Sequence, residues 1–120
     1  MKNEIKNAVG SHGKWKGRLK KAIETGKIDA RLSTIKADTE CDFGKWLYGL
    51  TAEEKEKHSG NYQKVQQLHA AFHEEASRVV QLVQAGNKAG AMRMLDVNGG
   101  FTVASRDLTT AMLDWFTEIK

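Results

Sequence analysis

Between Tyr62 and Gln84 the apolar residues return at steps of three and four, with Tyr62, Val65, Leu68 and Phe72 forming one face. That is the period of an α-helix, and it predicts a helix over residues 62–84 that buries this face against the rest of the chain. His69 and His73 lie on or beside the same face, one helical turn apart. An imidazole next to a core needs partners, so the pair is the first functional signal in the sequence.

The other segments repeat the pattern. Ile5, Val9, His12, Trp15 or Lys16, Leu19 and Ile23 make a continuous stripe, predicting a first helix from about Asn3 to Glu24 with Gly26 as its stop. "CDFGKWLYGL" at 41–50 predicts a short helix capped by Asp38 or Thr39, with Cys41 in its first turn. There, backbone N–H groups favour a thiolate. "TAEE" at 51–54 matches a capping box and opens another helical piece, which "HSGN" at 58–61 breaks or kinks. A last helix is expected over about Lys88 to Ile119, burying Leu95, Phe101, Ala104, Leu108, Met112, Trp115 and Ile119. "NGG" at 98–100 is a soft point in it, where the helix continues or kinks. The connector "IDARLSTIKADTE" at 28–40 has no clean period and room for a short helical turn.

No proline interrupts the 120 residues. The expected fold is therefore all-α: an antiparallel four-helix bundle of three long helices plus a short Cys-bearing helix that covers one end or side. The length suits a single domain over 1–120, without repeats or linkers. No segment approaches a membrane span, and the amino terminus has no apolar run of signal-peptide length. A lone cysteine cannot form an internal disulfide, which suits a reducing compartment and turns Cys41 toward metal or redox chemistry. The net charge of +4 includes a basic cluster, "KWKGRLKK", whose lysines alternate with Trp15 and Leu19. It reads as the solvated side of a helix, and nucleic-acid binding is not expected.

Two histidines four positions apart on a helix can serve one metal ion, although hydrogen-bonded core histidines would give the same pattern. His12 adds to the signal, since it stands where the first stripe calls for an apolar residue. Cys41 adjoins a run that must pack on the bundle. Three imidazoles and one thiolate then point inward from separate segments, a donor set suited to tetrahedral zinc. Copper(I) would tolerate the thiolate, whereas iron would call for carboxylates as well. His58, in the charged turn "KEKHSGN", is expected to face solvent and not to bind metal.

"HGKWKGRL" at 12–19, "CDFGKWLYG" at 41–49 and "LHAAFH" at 68–73 resemble, in order and spacing, the signature blocks of the chemoreceptor zinc-binding (CZB) domain family. The resemblance implies a zinc site inside a helical bundle, with His12, Cys41, His69 and His73 as ligands. It also implies a cytoplasmic, homodimeric regulatory domain rather than an enzyme, serving bacterial chemoreceptors or diguanylate cyclases. No effector domain is visible, so the chain is expected to be free-standing or a module of something larger. Gly13 and Gly17 depart from a strong first helix and weaken it locally.

A closed four-ligand shell leaves no position for a reacting water, which disfavours hydrolysis. Cys41 is the ligand that can let go, by protonation or oxidation, in response to zinc availability or an oxidant such as hypochlorous acid. Asp38 is either a helix cap or a carboxylate that orients a ligand histidine. Trp15 and Trp46 are expected in the core or a dimer seam. The rival readings are a hemerythrin-like di-iron bundle and a metal-free interaction bundle.

Overall fold

The computed structural model describes residues 2–28 and 41–119. Among these residues the chain is all-α, with seven helices and no strand. They are α1 (Lys2–Gly13), α2 (Trp15–Thr25), α3 (Asp42–Tyr48), α4 (Ala52–Lys57), α5 (Ser59–Gln84), α6 (Lys88–Met94) and α7 (Gly100–Glu118).

Helix α5, 26 residues long, is the spine of the bundle and packs most extensively on α7. Of its expected face Tyr62, Val65 and Phe72 are buried and Leu68 only partly, and Ala76, Val79 and Val80 continue the buried stripe. Asn61, at the start of α5, donates its amide to the Glu118 carboxylate at the end of α7, so these helices run antiparallel. Lys2 lies over the Phe116 ring, setting α1 antiparallel to α7 as well. Ile5, Leu19, Leu47, Leu108, Met112 and Trp115 fill the space between the helices and are sealed from solvent. The helical bundle expected from the apolar stripes is the fold observed.

Three boundaries differ from the sequence reading. The first stripe is carried by two helices, because the backbone tightens at Lys14, whose N–H bonds to Ser11 O rather than to Gly10 O. Gly10 and Gly13 make that stretch poorly committed to a regular helix. The long helix starts at Ser59, not Tyr62, since α4 ends at His58 and the chain resumes helix at once.

The third difference is the largest: the segment 88–119 is two helices, α6 and α7, separated by a tight reversal. At Gly99 a Cβ would sit 2.3 Å from the carbonyl oxygens of both Arg93 and Met94, an approach only glycine permits. The expected cap holds at Gly26, which ends α2 with φ 69° and its N–H on Ala22 O. The Thr51–Glu54 capping box is also formed in full. The caps Asp38 and Thr39, and a helical turn in the connector, lie outside the described residues.

Two glycines should therefore respond in opposite directions. Gly99→Ala should destabilise the fold by about 2 kcal/mol or more, because backbone atoms must move to admit the methyl group. Gly17→Ala, in an exposed stretch of α2 with nothing within 4 Å of the new Cβ, should stabilise it by about 0.5–1 kcal/mol. Urea unfolding of the two variants against the parent chain measures both.

Candidate metal centre

Three parts of the bundle deliver four side chains to one point. His12 comes from the last turn of α1, and His69 and His73 from adjacent turns in the middle of α5. Cys41 stands immediately before α3, with extended backbone (φ −83°, ψ 157°), and is its N-cap. The sequence reading puts it inside the first turn, with Asp38 or Thr39 as cap. Instead the Gly44 N–H donates to Cys41 Sγ at 3.2 Å, so the sulfur itself caps the helix.

The converging atoms are the Nε2 atoms of the three histidines and Cys41 Sγ. His69 Nε2 lies 3.1 Å from His12 Nε2, 3.1 Å from His73 Nε2 and 3.3 Å from Cys41 Sγ. A ligand atom from each of the four residues falls within 4.8 Å of all the others. Zinc bound tetrahedrally, at about 2.0–2.1 Å to nitrogen and about 2.3 Å to sulfur, has ligand–ligand edges of about 3.3–3.6 Å. The donor set is of that size and type. No carboxylate joins it among the described residues, so the inward acids that a di-iron bundle needs are missing from this group.

The protonation states fit the same conclusion. His12 Nδ1–H donates to Ala8 O at 2.8 Å, which fixes the tautomer and leaves the Nε2 lone pair facing the cluster. Burial pushes the His12 pKa down to about 4, partly opposed by the Ala8 bond and assisted by the neighbouring His73. Burial, with His73 and His12 nearby, lowers that of His69 to about 2. Both rings are thus neutral at pH 7. His69 Nε2 faces three acceptor-capable atoms, yet a single N–H there could serve only one of them. A cation at the centre would satisfy every lone pair together.

Aromatic rings wall the cluster. Phe43 meets His12 and His69 edge-on, with centroids 5.9 and 5.2 Å away. Phe72 does the same to His12 and His73, at 5.1 and 5.5 Å. Neither phenylalanine was singled out as a site residue from sequence. The available signal was position, since Phe43 follows Cys41 by two and Phe72 directly precedes His73. His58 is not in the cluster, as expected, but it is half-buried against the Trp115 ring rather than facing solvent. Asp38 lies outside the described residues.

The family model of the chemoreceptor zinc-binding domain matches residues 12–80, a span that contains all four side chains. The chain belongs to the CZB family. No curated protein and no solved structure matches it. The family is one of sensory and regulatory zinc-binding domains, and the cluster in this CZB domain is chemically compatible with that metal. No described helix is long and apolar enough to cross a membrane.

The metal-free CZB domain should lose stability in acid. The His12 and His69 pKa values are depressed on folding from 6.5 to about 4 and about 2, so below pH 6.5 the unfolded chain takes up protons that the folded chain refuses. Stability is then full above about pH 6.5 and falls as the pH drops, by about 2 kcal/mol for each ring at pH 5. Urea unfolding at pH 7.5 and pH 5.0 in the presence of a chelator measures it. Equal midpoints would mean that the rings are not held neutral in the core.

Proposed function

We propose that this CZB domain is a zinc-dependent sensory module in which His12, Cys41, His69 and His73 hold one metal ion and Cys41 is the ligand that responds. The observation carrying this reading is the convergence of three imidazole nitrogens and one sulfur within 4.8 Å inside the bundle. When bound, zinc would tie α1, α3 and α5 together and hold the sulfur as a thiolate. With four protein ligands the site has no place for a reacting water, which supports regulation over catalysis.

The four ligands differ in access. The histidines are 0–5% exposed, whereas Cys41 is only partly buried. A reagent from solvent therefore meets the sulfur first. Its thiolate can attack hypochlorous acid, forming an S–O bond and releasing chloride, so that sulfur loses two electrons and becomes a sulfenic acid. Sulfenic acid is a poorer ligand than thiolate, so the product favours release of the Cys41 arm. Falling zinc availability would free the same arm without oxidation.

The family resemblance extends the proposal to biology: a cytoplasmic homodimer that serves bacterial chemotaxis or cyclic-di-GMP control, alongside a chemoreceptor or diguanylate cyclase module. Sedimentation of the purified chain tests the dimer.

Elemental analysis of the purified, metal-replete chain should give one zinc per chain, with no visible absorption of the di-iron kind. Cys41→Ala should weaken zinc binding by at least about 100-fold, because loss of a residue that merely supports a ligand already costs about 10–100-fold. Zinc retained with unchanged affinity would remove the sulfur from the site. No zinc at all would leave a metal-free bundle.

A further inference from the structure

The aromatic wall of the site continues past the ligands to the far end of the bundle. Phe43, whose ring touches His12 and His69, stacks on Trp46 one turn along α3, with centroids 5.4 Å apart. Trp46 in turn meets Trp115 of α7 at 5.8 Å. Trp115 meets His58 at 6.0 Å. Four rings thus run from the ligand cluster to the junction at which α4 ends and α5 begins. At the same end the Asn61 amide donates to Glu118, so the last turn of α7 and the first turn of α5 are tied there.

We propose that the Trp46–Trp115 contact couples the state of Cys41 to this end of the bundle, making the last turns of α7 and the α4–α5 junction the output of the site. The proposal rests on the reading of the cluster as a zinc centre. Its physical basis is the smallness of α3. The helix has seven residues, so Trp46 lies only about 7–8 Å along the axis from Cys41 and moves with it as one body. Cys41 Sγ also caps α3 through Gly44 N–H, so a change at the sulfur loosens the helix at its first turn.

Trp115 has no room to absorb the movement locally. It is completely buried, and close-packed interiors pass displacement to the next group. Its Nε1 is also buried without a hydrogen-bond acceptor among the described residues, an unfavourable state that a phenylalanine there would avoid. The indole at this position is accounted for by its reach to both Trp46 and His58 rather than by its polar atom. At His58 the backbone is non-helical (φ −113°, ψ 27°), a joint that can take up the change between two helices.

Amide hydrogen exchange on the full chain, with and without zinc, tests the coupling. In the parent chain zinc should slow exchange at 113–118 and 58–62 by about fivefold or more, in addition to protecting α3. Trp46→Leu should keep zinc affinity within about threefold and protection of α3, yet lose the slowing at 113–118. Equal slowing in this variant, or none in the parent chain despite bound zinc, overturns the coupling and leaves the metal centre standing. A parent chain that binds no zinc overturns both. Should Trp46→Leu fail to fold, Trp46→Phe tests the same contact with a smaller ring. Its response at 113–118 should fall below half of the parent's, and a full response overturns the proposal.

Discussion

Three imidazoles buried side by side are the constraint around which this bundle is arranged. Each ring has given up hydration, and burial, assisted by the neighbouring rings, holds His12 and His69 far below their ordinary titration range. That cost is tolerable only if the exposed lone pairs find a common partner. Three nitrogens and a sulfur at 3.1–3.3 Å are too crowded for ordinary hydrogen bonding to satisfy them all. The polar cluster is therefore a cost to the metal-free bundle and would become a cross-link once a cation is present.

The fold divides the ligands by how firmly each is held. The histidines sit on helices anchored by Ile5, Val65 and Phe72, all sealed from solvent. The sulfur sits on the edge of a seven-residue helix and supplies part of that helix's own capping. Local opening follows the distribution of buried contacts, so α3 can loosen at a free-energy cost well below that of unfolding the bundle. A site meant only to stabilise would gain little from placing a ligand at the edge of so short a helix.

The readable parts of the sequence were those governed by periodicity and side-chain chemistry. The stripe on α5 located that helix, and His12 betrayed itself by occupying an apolar position in the first stripe. Periodicity does not record how closely one backbone passes another. The reversal at Gly99 depends on carbonyls six and five residues earlier, so the 88–119 segment read as one helix. The same blindness hid the role of Cys41 as a cap, which follows from one extended backbone pair of angles rather than from the run of residue types. His58 looked exposed because its neighbours in sequence are charged, while its neighbour in space is Trp115. Phe43 and Phe72 looked like ordinary core residues, and their contact with the ligand rings is visible only in three dimensions.

The family match ends at residue 80, but the site does not. Phe72, which presses on His12 and His73, is backed by Phe101 of α7 at 5.3 Å. On the other side of the matched span, the carbonyl that sets the tautomer of His12 belongs to Ala8. The residues that supply the donor atoms thus lie within the matched segment, while those that orient and dehydrate them lie partly outside it. A chain could carry all four of these residues and still lack this arrangement, because Phe72, which presses on two of the rings, is itself held by Phe101 of α7. Site and bundle are therefore built together, with α7 backing a ring that touches His12 and His73.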